Sequence, residues 1–229
     1  SLTGFKPFTH TFAPFATRRV FDQLFLSGAY AGNTINVYGS DPGFSVASNG
    51  GTHTAWEDVA LIREIPGAVI CDPADDVQME WIIKEFLKME GIHYVRSNRK
   101  AVRNVYKEGK DILIIAAGQL VSEALDCAEE LEKEGYSVEV IDMFTIKPLD
   151  EKLLIKEAKG KSKIVTIENH SIYGGLGSAV SEVIAENGIS VPVKRIGVKE
   201  KFGQVGTAEF LQEEFGLTAK QIKETICQF

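Results

Sequence analysis

The chain has 229 residues, of which 44% are hydrophobic and 25% charged, and its net charge is −7 at pH 7. This composition excludes a disordered chain and argues against a nucleic-acid surface, because phosphate contacts need clustered Lys and Arg. No run approaches the roughly 18 apolar residues of a membrane-spanning helix, and the three cysteines form no CxxC pair, so neither a zinc knuckle nor a disulfide framework is indicated. We therefore expect a cytoplasmic protein with no membrane or nucleic-acid partner.

In the first half of the chain, helix-like and strand-like patterns alternate. Helical spacing of apolar residues begins at Pro14, and the stretch 40–54 is rich in small residues and glycine, which is typical of a loop. Such alternation indicates parallel α/β layers. The predicted strands are residues 34–39, 68–71 and 93–96, and the predicted helices are residues 56–65 and 75–89.

The second half alternates more regularly, after a polar and charged stretch at 99–110 that we interpret as a linker. Its apolar strands are typical of a sheet that is covered on both faces. The pattern predicts an α/β protein with two parallel-sheet domains, residues 1–106 and 107–229, of which the second is doubly wound. The predicted strands of the second domain are 111–117, 137–141, 163–167 and 191–196, and its predicted helices are 120–133, 149–158, 177–186, 208–215 and 219–227.

Two polar motifs follow one another in the second domain. The GGLG sequence at 174–177 opens a predicted helix, and it is compatible with a phosphate cradle at a helix N-terminus or with a tight turn in which glycine permits close packing. Glu168, Asn169 and His170 end the preceding strand, where open parallel sheets bind ligands. These residues could line a pocket, which makes His170 a candidate substrate-binding residue, or they could cap the following turn.

Candidate residues in the first domain also have two interpretations each. His53 follows two glycines in GGTHT, where an imidazole can shuttle a proton, or where it is incidental to a helix-capping turn. Phe12 and Phe15 suit either a packed core or a flat ligand. Arg96 and Arg99 close a predicted strand, where guanidinium groups can bind a phosphate or remain solvated. The sequence has no GxSxG, HExxH or Walker A motif and no cluster with metal-ligand spacing.

Together these motifs occur in an order that resembles one family. Transketolases and their thiamine diphosphate-dependent relatives have a pyrimidine-binding domain that is similar to GFKPFTHTFAPFATRRVFDQ, GSDPGFSVASNGGTHTAWEDVALIREIPG, DPADDVQ and YVRSNR. The carboxyl-terminal domain of the same family is similar to DILIIAAGQLVSEALDCAEELEKEG, VEVIDMFTIKPLD and ENHSIYGGLGSAVSEVIAE. The resemblance covers essentially the whole chain.

The resemblance implies roles for individual residues. Phe12 and Phe15 correspond to aromatic residues that pack on the aminopyrimidine ring of thiamine diphosphate. His53 corresponds to the histidine that family members direct at the substrate and at the reactive thiazolium carbon. Asn49 takes the place of an acidic residue that reads a sugar hydroxyl, and Arg96 or Arg99 would match the arginine that binds the substrate phosphate.

The resemblance also implies that another protein chain completes the site. A family histidine that contacts the substrate has no counterpart near 40–41, the family glutamate that hydrogen-bonds the aminopyrimidine would precede Ser1, and the diphosphate-binding GDG…N stretch is absent. We therefore expect this fragment to be inactive alone and to belong to a split transketolase. A separate subunit would hold the diphosphate and Mg²⁺, the active site would form at the interface, and two heterodimers would pair.

The expected reaction moves a two-carbon ketol unit from a ketose phosphate to an aldose phosphate. Two other members of the family are alternatives, namely a deoxyxylulose-phosphate synthase and the beta-type chain of a 2-oxo acid dehydrogenase. An alternative of another class is a non-catalytic interaction module of the same fold, which binds a partner but no cofactor.

Overall fold

The computed structural model describes residues 1–98 and 109–229. The predicted linker at 99–110 lies mostly outside the described residues, so the domain boundary at 106 stays a prediction. The strands of the described part are β1 (Phe8–Phe12), β2 (Ile35–Ser40), β3 (Val69–Cys71), β4 (Ile92–Ser97), β5 (Ile112–Ala116), β6 (Val138–Asp142), β7 (Thr145–Lys147), β8 (Lys163–Ser171) and β9 (Val193–Val198).

The helices of the described part mostly follow the apolar spacing of the sequence. Several begin at a residue whose side chain accepts a backbone N–H of the first turn. The carboxylate of Asp75, for example, accepts the N–H of Gln78 at 2.7 Å. Such caps satisfy donors that the first turn leaves unpaired. Additional turns are 3₁₀ at Arg18–Val20 and Gly43–Asn49 and π-helical at Leu24–Tyr30. The α-helices are α1 (Ala13–Ala16), α2 (Phe21–Gln23), α3 (Asp58–Arg63), α4 (Asp76–Phe86), α5 (Leu120–Lys133), α6 (Glu151–Ala158), α7 (Leu176–Glu186), α8 (Ala208–Glu214) and α9 (Ala219–Cys227).

The first sheet has the strand order β1-β2-β4-β3-β7. The pairs β1–β2, β2–β4 and β3–β4 are parallel, whereas β7 is antiparallel to β3. The sequence analysis missed β1 and β7. β1 lacks a buried apolar face because its first three residues are exposed, and β7 has only three residues. Since β7 comes from the second half of the chain, this sheet is built from both halves.

The second sheet has four parallel strands in the order β6-β5-β8-β9, and its parallel α/β prediction is confirmed. All five residues of β5 are buried, because helices cover both faces of the sheet. Ile112 and Ile114 pack in one apolar core with α5, α8 and α9, and Leu113 and Ile115 pack in another with α6 and α7. The alternation of side chains along the strand divides the two cores.

The two halves of the chain share these cores. Phe44 and Trp56 from the first half are buried in the core that contains α5, α8 and α9. Val37 and Ile62, also from the first half, belong to the core that contains α6 and α7. The halves are therefore packed against each other through apolar side chains. Among the described helices, none has both the length and the apolar character that a membrane crossing needs.

Candidate active site

Two phenylalanine rings meet where the edge strand of the first sheet turns into a helix. Phe12 is the last residue of β1 and directly precedes α1, whose first turn contains Pro14. Proline is favoured there because the first helical turn does not need its N–H. The short helix places Phe15 beside Phe12, with ring centroids 6.2 Å apart and ring planes at 90°. Both rings are partly exposed, so we call this pair the aromatic corner.

His53 lies on a tight turn that places its ring on the aromatic corner. The N–H groups of His53 and Thr54 both donate to Gly50 O, at 3.0 and 3.2 Å, and Gly50 has a φ of 71°, which glycine adopts without strain. The imidazole centroid lies 5.3 Å from that of Phe12 and 4.9 Å from that of Phe15. Residues far apart in the sequence therefore form one aromatic cluster.

One nitrogen of the His53 ring is already engaged. Nδ1 lies 2.9 Å from the hydroxyl oxygen of Thr52, so Nε2 is the nitrogen that this bond does not use.

The Phe15 ring also contacts a cation. The planar guanidinium of Arg19 lies 3.9 Å from the centroid of the Phe15 ring. This cation–π contact uses one face of the Phe15 ring.

A cavity of about 430 Å³ opens beside Phe12, between loop residues of the first half and residues of α5 and α8. Asn49 lines this cavity and is exposed, so its amide is accessible to a ligand. The charged residues among the described lining are Asp41 and Glu123, and that lining includes no Lys or Arg.

Arg96, which lies on β4, is buried rather than directed at a ligand. It is 1% exposed. Its Nη1 donates to Asp58 at 2.9 Å, its Nη2 to Asp72 at 2.9 Å and to the carbonyl of Asn169 at 3.3 Å. The Tyr94 hydroxyl also donates to Asp58, at 2.6 Å. Both interpretations of Arg96 from the sequence, a phosphate ligand and a solvated side chain, conflict with this placement, because two buried carboxylates use its donors.

The two carboxylates differ in acidity because one guanidinium faces both. Burial by itself would raise the pKa of Asp58, but the charge of Arg96, together with His170 and the Tyr94 hydroxyl, holds that pKa below its ordinary value. Burial raises the pKa of Asp72 despite Arg96, and the nearby charge of Asp58 adds to the rise. The cluster therefore contains one more carboxylate than the guanidinium can neutralise.

The GGLG turn at 174–177 is closed by a side chain of the protein itself. Glu168 accepts the N–H of Leu176 at 2.7 Å and that of Gly177 at 2.9 Å, at the start of α7. A carboxylate is favourable at this positive end of a helix. Of the two interpretations from the sequence, the structure has the tight turn, because Glu168 occupies the donors that a phosphate would need. Burial raises the pKa of Glu168 to about 7.

His170 is also enclosed. It is fully buried, and its Nδ1 lies 2.6 Å from Ser171 O. Its Nε2 lies 3.8 Å from Asp58, and burial lowers the pKa of the imidazole to about 4. The substrate-binding role suggested by the sequence conflicts with this position, because the ring has no exposed surface for a substrate to contact.

Comparison with known proteins identifies the family. Residues 1–105 match the family described as transketolase, pyrimidine binding domain, and residues 101–222 match the family described as transketolase, C-terminal domain. The chain belongs to the transketolase family. The resemblance and the α/β fold class that the sequence predicts are thereby confirmed.

Similar proteins include transketolase subunits. The 6-deoxy-6-sulfo-D-fructose transketolase subunit SqwH of Clostridium sp. is 44% identical over 96% of this chain and 72% of that protein. An apulose-4-phosphate transketolase subunit of Phocaeicola vulgatus is 32% identical over 99% of this chain and 77% of that protein. A solved structure described as a split gene transketolase, inactive beta4 tetramer, has a TM-score of 0.90 at 36% identity, covering 100% of this chain and 77% of that chain. The chain therefore corresponds to the C-terminal part of a transketolase.

Sequence reasoning missed the two carboxylates that bind Arg96. Asp58 and Asp72 were not singled out. Asp58 is the first residue of α3, and Asp72 directly follows β3, which pairs with β4. For Asp72 the available signal was that the carboxyl ends of parallel strands meet at one edge of a sheet, so that their polar residues converge. Asp58 begins a helix, so this signal does not apply to it. Arg99, the other candidate for a substrate anion, lies outside the described residues.

Proposed function

We propose that this chain is the C-terminal, pyrimidine-binding subunit of a transketolase that is assembled from two different chains. The observation that carries the proposal is the contact of His53 with both Phe12 and Phe15. It joins the three positions at which the family resemblance expects the cofactor and the reacting substrate. The similar proteins support the two-chain arrangement, since two of them are described as transketolase subunits.

The aromatic corner fits the aminopyrimidine ring of thiamine diphosphate. The partly exposed rings of Phe12 and Phe15 offer apolar surface to a flat ligand. Among residues 1–98 and 109–229, no group of three or more His, Cys, Asp or Glu side chains could hold a metal ion. When bound, the cofactor supplies the electron sink for the two-carbon unit. The partner subunit would hold the diphosphate and Mg²⁺, so that the active site lies between the chains.

His53 would hold or move a proton at a substrate oxygen. Thr52 engages its Nδ1, so Nε2 would face the hydroxyl groups of the ketol unit. Asn49 would read a sugar hydroxyl from the wall of the cavity. Its amide can both donate and accept a hydrogen bond, whereas the carboxylate that other transketolases have there only accepts. Arg99 would bind the anionic end of the sugar.

The reaction would transfer a two-carbon ketol unit from a ketose with an anionic terminal group to an aldose phosphate. The terminal group would be a phosphate or a sulfonate, since the 44% identical relative is described as acting on a sulfonated fructose. We place the assembly in the cytoplasm as a pair of heterodimers.

Mixing the full-length subunit with its diphosphate-binding partner tests this proposal. We expect ketol transfer that requires both subunits, thiamine diphosphate and Mg²⁺, with a ketose phosphate or a ketose sulfonate as donor. Turnover of pyruvate but of neither ketose would instead indicate a deoxyxylulose-phosphate synthase or a 2-oxo acid dehydrogenase. A correctly assembled complex that turns over none of these donors would contradict the proposal and indicate an interaction module.

A further inference from the structure

The loop that carries His53 belongs to the first half of the chain, but the second half holds it. We call residues 42–57 the His53 loop. Residues of the second half contact this loop at its start, at its middle and at its end. The three contacts use different side chains and different kinds of interaction, and together they leave the loop little room to move.

Asn169, on β8, holds the start of the loop. Its Oδ1 accepts the N–H of Phe44 at 3.2 Å, and its Nδ2 donates to Pro42 O at 3.0 Å. Gly43 lies between these two residues with a φ of 59°, and a Cβ there would collide with the Asn169 amide. Asn169 is 2% exposed, so water does not compete for these hydrogen bonds.

The segment that follows β9 packs closely against the middle of the loop. A Cβ on Gly50 would lie 2.6 Å from Val205 Cγ2, and a Cβ on Gly51 would lie 2.7 Å from Gly203 O. A Cβ on Gly203 would in turn overlap the side chain of Thr54. Thr54 is buried and donates from Oγ1 to Gly50 O at 3.0 Å, so it has no open space into which to move.

Trp56 anchors the end of the loop in the core of the second half. It is 8% exposed, and its ring lies 5.0 Å from that of Phe215 in an edge-to-face contact. The N–H of Ser171 donates to Trp56 O at 3.0 Å. Since close-packed interiors transmit small displacements, this end of the loop is fixed relative to β8.

We propose that the second half of the chain positions His53 for catalysis, and that Gly203 is the positioning residue at the turn. His53 and Thr54 share one acceptor, Gly50 O, so a displacement of Thr54 moves the turn and with it the imidazole. The C-terminal domain thus acts on the reaction without touching substrate or cofactor. This inference rests on the proposed function, which gives His53 its role.

The variant Gly203→Ala, in the full-length subunit assembled with its partner, tests the inference. The added methyl group displaces Thr54, and we expect kcat to fall by about 10- to 100-fold while KM for both sugars changes by less than about twofold. In a His53→Ala background, the same substitution should change kcat by less than about twofold, because the group that it misplaces is gone. Equal losses of kcat in both backgrounds would overturn the inference.

Gly206→Ala is the matched control. A Cβ there would lie 2.6 Å from Cδ1 of Phe210, which is 52% exposed and can rotate away. It would also lie 3.3 Å from the buried side chain of Leu211, which would need to shift by only a few tenths of an ångström. This variant should keep kcat within about twofold. If Gly203→Ala fails to fold, Val205→Ala replaces it, because Val205 is 70% exposed and its truncation only loosens the contact with Gly50. Wild-type kcat in Val205→Ala would then count against the inference.

A readout that needs no turnover separates this inference from the proposed function. The chain has four histidines, and the imidazole proton signal of His53 is identified as the one lost in His53→Ala. In the full-length subunit, Phe12 and Phe15 shift this signal through their ring currents. Gly203→Ala should move it and Gly206→Ala should not. An unmoved signal overturns the positioning role, whereas a moved signal in an assembly without ketol transfer refutes only the proposed function.

Discussion

At the scale of single residues, the surroundings of His53 determine how it can act. Its ring touches Phe12 and Phe15, and Thr52 engages its Nδ1. An imidazole restrained in this way presents Nε2 in a fixed direction, which proton transfer to a bound substrate requires. The GGTHT sequence alone does not show this, because the geometry of the turn brings the ring to the aromatic corner. The resemblance to transketolases, in contrast, identifies Phe12, Phe15 and His53 as site residues.

Replacing His53 by alanine should affect turnover much more than cofactor binding. We expect kcat of the assembled enzyme to fall by about 100-fold, since proton transfer at the substrate is lost. The affinity for thiamine diphosphate should stay within about twofold because Phe12 and Phe15 remain. Steady-state kinetics and a cofactor titration measure the two quantities.

His10→Ala is the control for this substitution. His10 is exposed and stacks on Tyr38, with ring centroids 4.6 Å apart, so its loss should leave kcat near that of the wild type. An unchanged kcat in His53→Ala would remove His53 from the mechanism.

At the scale of elements, Arg96 ties together segments from both halves. It extends from β4 to the first turn of α3 through Asp58, to the residue after β3 through Asp72, and to β8 through the carbonyl of Asn169. A buried ion pair is costly to break from one side, because the remaining charge stays buried without its partner. We therefore assign Arg96 to the architecture of the fold.

Arg96→Leu should lower the unfolding free energy of the chain by about 3–5 kcal/mol, because it leaves two buried carboxylates without a cation. Arg18→Leu is the control, since Arg18 pairs with Glu57 at 2.7 Å on the surface, and its loss should cost less than about 1 kcal/mol. Urea unfolding of both variants, each made in the full-length protein, measures the difference. Unchanged stability in Arg96→Leu, with a raised KM for the sugar, would restore Arg96 as a substrate ligand.

The elements that the sequence predicts are those that bury a continuous apolar face. β5, with all five residues buried, is an example. The sequence does not predict β1 or β7, because exposure hides the first and the second depends on a partner strand far away in the sequence. The burial of Arg96 could not be predicted from the sequence either, because it also depends on contacts with distant segments. It depends on where the fold places Asp58 and Asp72, which lie on separate elements.

At the scale of the whole molecule, polar residues are buried where the two halves meet. His170 and Asn169, on β8, lie against the cluster of Asp58 and Arg96 from the first half. A positive charge on the buried His170 ring would lose its solvation by water. Burial therefore lowers the pKa of the imidazole to about 4. The stability of the packed halves should therefore depend on pH.

The sign of this dependence follows from His170. An unfolded histidine has a pKa near 6.5, so between pH 6.5 and about 4 the unfolded chain binds a proton that the folded chain does not. His170 therefore contributes stability above pH 6.5 that is lost as the pH falls towards 4, by up to about 3 kcal/mol. Urea unfolding of the wild type and of His170→Gln measures this loss. The difference in unfolding free energy between the two proteins should shrink as the pH falls.

Comparison with His170→Gln isolates this one group. The charged groups that act on His170 are present in both proteins, so their own titration largely cancels in the difference. These groups are Asp58, Arg63, Arg96 and Glu168. Parallel stability profiles of the two proteins between pH 7 and 4 would show that His170 titrates normally in the folded chain.

The most direct test of the central claim is a structure of the full-length subunit, assembled with its diphosphate-binding partner, with thiamine diphosphate and Mg²⁺ bound. We predict that the aminopyrimidine ring packs on Phe12 and Phe15 beside His53, and that the partner subunit holds the diphosphate and the metal ion. An aminopyrimidine ring away from these three residues, or a diphosphate bound at the 174–177 turn, would contradict the account.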